Sequence, residues 1–185
     1  MKTFKITSIA FLLLCMFTAC NNNETTNDTT VPSDTALIPN NSDELVVDKN
    51  FFEEAMQGSI VEIELGNLAI KNAKNKVVKE FGERMVTDHT KIYQELKTYF
   101  ASKNQEVIDS LLPENNEKYQ SLLILKGDMF DAAYLNMVVE SHQDAIQLYT
   151  NMADRGFDTV VKTWARKTLI TLEDHLKSAD ALIAK

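Results

Sequence analysis

The sequence predicts an all-α fold, a ferritin-like four-helix bundle with a long, partly helical crossover between helices two and three. From residue 48 onward, apolar residues recur every three or four positions along four long stretches, which is the period of an amphipathic helix. Pro113 is the one proline of this region, so little interrupts the helices. Each stretch has one apolar stripe rather than an apolar circumference, and the four stripes should therefore pack around one core.

The first two helices are predicted to form an antiparallel hairpin. Asp48 can cap the first helix, which is expected over residues 48–73. Asn75 can cap the second, which is expected to end near Lys103. Only a short turn separates the two helices, so the chain must reverse its direction there.

The last two helices are predicted to form a second hairpin. Residues 104–127 connect the hairpins and contain a short amphipathic piece. Asp128 can cap the third helix, Gly156 breaks it, and Asp158 can cap the fourth. The connection is long enough to run back along the bundle, which makes helices two and three parallel. One long crossover at this place is the ferritin-like arrangement.

Residues 1–19 have the features of a bacterial lipoprotein signal peptide. Lys2 and Lys5 precede an apolar run over residues 6–17. That run is about a dozen residues long, whereas a helix needs roughly 20 to span a bilayer. A small residue just before Cys20 resembles the lipobox of bacterial lipoproteins, so we expect acylation of Cys20, for example by palmitate. The alternative is a conventionally cleaved signal followed by an incidental cysteine.

Cleavage before Cys20 would leave an acidic protein on a polar tether. The formal charge is −8 at pH 7, and it becomes −10 once Lys2 and Lys5 are removed. This charge disfavours nucleic acid as a partner. Residues 20–47 are predicted to be a disordered tether, and residues 48–185 the bundle domain. We expect the domain at the cell envelope, on the periplasmic or surface side of the outer membrane, with the lipid as its membrane contact.

Four polar residues on the inward stripes form a candidate site. The chain has three histidines, each on a different predicted helix, and a glutamate faces inward on the remaining one. All four lie near the middle of their helices, so they should meet at the midplane of the bundle. Imidazole and carboxylate groups suit a divalent transition metal such as zinc, iron or copper. The candidate metal ligands are Glu62, His89, His142 and His175.

The same four residues have a second interpretation, a buried layer of hydrogen bonds that fixes the register of the helices and binds nothing. In that layer Glu62 would pair with a protonated histidine. Acidic residues beside the histidines lie one or two positions away, which turns them about 100° or 200° around the helix. We predict a solvated role for these acids, Asp88, Glu140, Glu173 and Asp174.

Several short motifs resemble domain-of-unknown-function family 4142, over residues 48–184. They are Phe51 with Ala55, the run Glu62–Ala69, Phe81 followed by Met85–His89, the run Phe130–Tyr134 before His142, and His175. The resemblance implies a ferritin-like bundle in an exported bacterial protein and no established activity. A ferritin-type two-iron centre needs Glu-x-x-His on two helices. The residues three before the histidines are Val86, Val139 and Leu172, so any metal site should instead be histidine-rich and mononuclear.

The function remains open between two classes. The chain has no Gly-x-Ser-x-Gly motif and no Gly-rich phosphate loop, so an enzyme of the common hydrolase or nucleotide-using kinds is not expected. The first hypothesis is a binding or structural module of the envelope, for instance in stress tolerance. The second is a metal-binding or redox-active bundle. Nothing in the sequence indicates a protein partner or an oligomeric state.

Overall fold

The computed structural model describes residues 41–184, and the regular elements among them are all helical. The four long helices form the predicted bundle, so the predicted fold class is confirmed. In chain order the elements are α1 (Asn41–Asn72), α2 (Lys76–Ser102), a 3-10 turn (Pro113–Asn115), α3 (Asn116–Leu123), α4 (Gly127–Arg155) and α5 (Thr159–Ile183).

Two helix starts are capped as the sequence predicts. The side chain of Asn75 accepts the N–H of Val77 at 2.9 Å at the start of α2. The Asp158 carboxylate accepts the N–H groups of Val160 and Val161 at 2.7 and 3.3 Å at the start of α5. Each cap satisfies backbone donors that a helix leaves without an internal partner.

The other two starts differ from the prediction. Helix α1 begins at Asn41, so Asp48 lies inside the helix rather than at its N-cap. No proline or glycine stands between Asn41 and Asp48 to stop a helix there. Helix α4 begins at Gly127, with Lys126 as its N-cap residue, and Asp128 lies in the first turn. An acidic residue in that turn still complements the positive end of the helix dipole.

Contacts between the helices fix their directions. Phe51 near the start of α1 packs against Tyr149 near the end of α4, with ring centroids 5.1 Å apart, so these helices are antiparallel. Asp88 contacts His175, and Tyr99 donates to Asp158, so α2 and α5 are antiparallel as well. With tight turns joining α1 to α2 and α4 to α5, helices α2 and α4 must be parallel. This is the crossover topology that the sequence predicts.

The core consists of two apolar clusters with a polar layer between them. The first cluster includes Phe51, Phe52, Met56, Ile92, Leu96, Tyr149, Val161 and Leu172. The second includes Leu65, Leu68, Phe81, Met85, Phe130, Tyr134, Val138 and Ala179. On α1, α2 and α4 the change from one cluster to the other occurs at Glu62, His89 and His142, which are all buried. The polar layer is therefore confined to one level of the bundle.

Buried polar side chains fasten the crossover to the bundle. Gln57 donates to the carbonyl of Ser110 at 2.9 Å and accepts from the Leu112 N–H and the Asn115 amide, both at 3.0 Å. Tyr93 donates to the carbonyl of Ile108 at 3.0 Å. These bonds satisfy backbone groups that would otherwise lack helix partners, and they hold the crossover against α1 and α2.

Cys20, the residues of the predicted signal peptide and most of the predicted tether lie outside the described residues. Among the helices of the described part, none is long and apolar enough to cross a membrane.

Candidate metal centre

The three histidines converge at the centre of the bundle. Nε2 of His142 lies 3.4 Å from Nε2 of His89 and 3.3 Å from Nδ1 of His175. One ring nitrogen from each histidine lies within 4.8 Å of those of the other two. All three side chains are buried, and His175 is fully inaccessible to solvent. The helices α2, α4 and α5 each supply one ring, as the inward stripes predict.

These nitrogen spacings match a tetrahedral metal site. Two imidazole nitrogens bound to one zinc at about 2.0 to 2.1 Å with tetrahedral angles are separated by roughly 3.3 to 3.4 Å. The two close spacings, both of which include Nε2 of His142, have these values. The geometry thus places His142 at the centre of the ligand set. The nitrogens of His89 and His175 lie within 4.8 Å of each other, so these two rings would have to approach to complete a tetrahedral site.

Hydrogen bonds on the outer side fix the tautomers of two rings. Nδ1 of His142 lies 2.9 Å from the carbonyl oxygen of Val138, which can only accept, so Nδ1 carries the proton and Nε2 has a free lone pair. Nε2 of His175 lies 2.8 Å from a carboxylate oxygen of Asp88, so Nε2 carries the proton and Nδ1 has the lone pair. Carbonyl and carboxylate groups orient metal-binding histidines in this way in many proteins.

The two lone pairs therefore point into the same space. Nε2 of His142 and Nδ1 of His175 are 3.3 Å apart, and two neutral rings with these outer hydrogen bonds would have no proton to share there. His89 can donate one hydrogen bond from Nε2, and its Nδ1, which is buried, then has no partner among the described residues. A cation placed between the three nitrogens would satisfy all of the lone pairs.

Burial keeps two of the rings neutral. Removal from water lowers the pKa of His89 well below its ordinary value, and the neighbouring His142 and His175 lower it further. Burial also lowers the pKa of His175 to about 4, although the hydrogen bond to Asp88 acts in the opposite direction. Neutral imidazole is the form that binds metal ions, so no proton has to leave these rings at pH 7.

The structure places Glu62 behind His142 rather than among the three nitrogens. Its Oε1 lies 3.7 Å from Nδ1 of His142 and accepts a hydrogen bond from Ser141. Its Oε2 is buried without a hydrogen-bond partner. Burial raises the pKa of Glu62, opposed by the charge of His142 and the hydrogen bond from Ser141. Glu62 is thus positioned to orient a ligand ring, and the group that could hold a metal consists of the histidines.

Two residues beside the histidines have roles that the sequence did not indicate. Asp88 was expected to be solvated, but it is half-buried and bonded to His175. Arg84 pairs with Asp88 at 3.4 Å and also with Asp174. A weak signal was present in the sequence, since Arg84 stands four residues before Asp88 and such spacing places both on one helix face. Ser141, the donor to Glu62, gave no such signal.

The family model of a domain of unknown function, DUF4142, matches residues 35–182. The chain belongs to the DUF4142 family. This confirms the predicted resemblance, and the matched range contains His89, His142 and His175.

Solved structures similar to this DUF4142 chain share its fold. One is a DUF305 fragment from Deinococcus radiodurans, with a TM-score of 0.65 and 13% identity, which covers 73% of this chain and 93% of its own. Another is a DUF305 protein from Streptomyces coelicolor, with a TM-score of 0.66 and 13% identity, which covers 75% and 91%. No curated protein matches the DUF4142 chain significantly. At this identity the likeness extends to the fold alone.

Proposed function

We propose that this DUF4142 protein is a metal-binding helical bundle that holds one divalent transition metal ion between His89, His142 and His175. The observation that carries the proposal is the position of two ring nitrogens, Nε2 of His142 and Nδ1 of His175. Each has a lone pair, and the two atoms lie 3.3 Å apart in a buried site. Their tautomers are set by Val138 and Asp88 on the opposite sides of the rings. A metal ion between the two rings would explain why each ring carries its proton on the nitrogen that faces away from the other ring.

The competing interpretation, a polar layer without a ligand, accounts less well for these contacts. A hydrogen-bonded layer should satisfy its buried donors and acceptors, because an unpaired buried polar group costs about 1 to 3 kcal/mol. Nε2 of His89 can donate to Nε2 of His142, but Nδ1 of His175 then faces only that same acceptor nitrogen. A shared proton between His142 and His175 would create a buried cation, and burial already lowers the pKa of His175 to about 4.

The ligand chemistry restricts the kind of metal. Three imidazoles with no thiolate and no carboxylate in the set favour zinc, copper or iron over magnesium and calcium, which prefer oxygen ligands. A ferritin-type two-iron centre does not fit, because Glu62 and Asp88 contact the outer nitrogens of the histidines rather than the shared space. Three protein ligands leave a fourth tetrahedral position for water or another ligand.

Metal binding is tested by titrating the purified metal-free protein, without a histidine tag, with Zn²⁺ and Co²⁺. We expect one ion per chain, measured by elemental analysis after gel filtration, and a tetrahedral visible absorption spectrum for Co²⁺. Binding should weaken less between pH 7 and pH 5.5 than binding by solvent-exposed histidines, because burial lowers the pKa of His89 and holds the pKa of His175 near 4.

The control for the pH dependence is a short peptide whose histidines are exposed to solvent, titrated with the same metal ions in parallel. Its histidines have pKa values of about 6.5 and should release the metal by pH 5.5. A protein that takes up no Zn²⁺, Co²⁺, Cu²⁺ or Fe²⁺ at pH 7 would refute the proposal and favour the structural polar layer.

We further propose that the bundle works at the cell envelope, tethered through lipid on Cys20. Supporting this are the short apolar run and the small residue before the cysteine in the sequence. In bacteria given radiolabelled palmitate, we expect label on the wild-type protein and none on Cys20→Ser. Equal labelling of the two proteins, or none of either, would contradict the anchor.

A further inference from the structure

An apolar cavity of about 570 Å³ lies between α2 and α5, at the end of the bundle where α2 ends and α5 begins. Its walls include the buried side chains of Phe52, Leu96 and Val161, and Trp164 lines it as a half-buried residue. Sites for drug-sized ligands have volumes of about 300 to 1,000 Å³. None of the three histidines lines this cavity, so it is separate from the proposed metal site.

Two hydrogen bonds fix the aromatic walls of this cavity. Trp164 donates from Nε1 to Glu95 at 2.7 Å, and the hydroxyl of Tyr99 donates to Asp158 at 2.5 Å. Each bond joins α2 to α5 or to the N-cap of α5. A ring that is anchored at its polar atom has less freedom to turn into the empty space and fill it. The walls are therefore preorganised, which reduces the entropy that a ligand would lose by ordering them.

Other aromatic rings support these walls. The ring centroid of Trp164 lies 5.6 Å from that of Tyr149 and 6.4 Å from that of Phe51. Phe52 stacks on Tyr99, with centroids 4.9 Å apart and an interplanar angle of 12°. Aromatic pairs interact more favourably than their buried area alone predicts. An aromatic ligand could extend this cluster through Trp164 and Tyr99, whereas a saturated chain would gain only the buried area.

The charges around the cavity are balanced. Lys91 and Glu95, which line it, have opposite charges and lie one helical turn apart on α2. Beside it, Lys103 pairs with Asp158 at 3.6 Å. A charged ligand would lose its hydration against apolar walls, and no excess of opposite charge would compensate that loss. The cavity therefore favours an uncharged molecule.

We propose that this cavity is a binding site for a small, uncharged aromatic molecule, which packs against Trp164 and Tyr99 between α2 and α5. The volume, the anchored aromatic walls and the balanced charges each point to this class of ligand. Binding here would be a second function of the bundle, and it needs no metal ion at the histidines.

The test uses the metal-free protein and the fluorescence of Trp164, which is the single tryptophan of the chain. Phenylnaphthylamine is the neutral probe, and anilinonaphthalene sulfonate has the same ring system with a negative charge. We expect phenylnaphthylamine to quench Trp164 in a saturable way, with one molecule per chain, and to bind at least about tenfold more tightly than the sulfonate. Decanol at the same concentration as the probe should not displace it.

Thr98→Leu narrows the cavity, and Thr87→Leu is its matched control. Both threonines are exposed on α2 and donate to the carbonyl four residues earlier, but only Thr98 of the two lines the cavity. We expect Thr98→Leu to weaken phenylnaphthylamine binding about fivefold or more, and Thr87→Leu to bind as the wild type does.

Four results would each overturn the inference. They are the absence of saturable phenylnaphthylamine binding by the wild type, equal or tighter binding of the sulfonate, displacement of the probe by an equal concentration of decanol, and the same affinity in both threonine variants. The last result would place the bound probe elsewhere on the chain. A failure of metal binding would leave all of these measurements unaffected, because they are made without metal.

Discussion

Replacing His142 with leucine is expected to abolish stoichiometric metal binding. His142 contributes the nitrogen that is close to both other rings, at 3.4 and 3.3 Å, so its loss leaves His89 and His175 without their common neighbour. Structural zinc sites bind with about 10 to 16 kcal/mol over their full ligand set, and losing one ligand should weaken affinity about a thousandfold or more. Competition titration with a coloured zinc chelator measures the change.

Leucine is chosen because it keeps the buried volume, so a loss of metal cannot be attributed to a cavity. The substitution removes one member of a buried polar group and leaves the facing nitrogens of His89 and His175 without it. We expect the metal-free His142→Leu protein to be less stable in urea than the metal-free wild type by about 1 to 3 kcal/mol, and still folded. Unchanged zinc affinity in a folded His142→Leu protein would rule out the proposed ligand set.

Asp88→Asn provides a graded comparison within the same site. Asparagine can still accept the His175 N–H but lacks the negative charge that increases the basicity of the ring. Removing such an outer partner typically costs 10- to 100-fold in metal affinity. Asp174→Asn is the matched control, because the Asp174 carboxylate pairs with Arg84 and forms no hydrogen bond or ion pair with a histidine ring. It should leave the affinity near the wild-type value.

The sequence was sufficient to predict the convergence of the histidines because that depends on two simple quantities. The helical period determines which side of each helix is inward, and depth along equal helices determines the level in the bundle. His89 is the central residue of α2, and His142 lies next to the centre of α4. Both quantities can be read without knowing which helix stands beside which.

The outer contacts could not be predicted in the same way. Asp88 is about 100° around α2 from His89, and that direction leads to solvent in an isolated helix. In the bundle α5 occupies it, and His175 meets Asp88 there. Glu62 shows a second limit of the helical period. The period predicts that its side chain faces the core, but it does not predict that the carboxylate lies beside Nδ1 of His142. Such contacts depend on the rotation and register of paired helices, which a helical period leaves undetermined.

Gly82→Ala is expected to destabilise the protein through the contact between α1 and α2. A Cβ atom at Gly82 would lie 2.8 Å from the Cβ of Ala69 and 3.0 Å from the carbonyl oxygen of Gly66, so the two helices would have to separate. Forcing extra atoms into a packed contact typically costs about 1 to 3 kcal/mol, while alanine regains about 1 kcal/mol of helix propensity. We expect a net loss of up to about 2 kcal/mol in the free energy of unfolding, measured in urea.

Gly58→Ala separates the packing cost from the propensity gain, since Gly58 also lies inside a helix, α1, but its added Cβ would meet open space. It should stabilise the protein by up to about 1 kcal/mol, so the two variants should change the free energy of unfolding in opposite directions.

The separation of α1 from α2 also bears on the metal site, because His89 lies two helical turns after Gly82 on the same face of α2. Gly82→Ala should therefore lower zinc affinity as well as stability, whereas Gly58→Ala should leave zinc affinity unchanged. Equal stability of the two variants would mean that the close approach at Gly66 and Gly82 is not required by the fold.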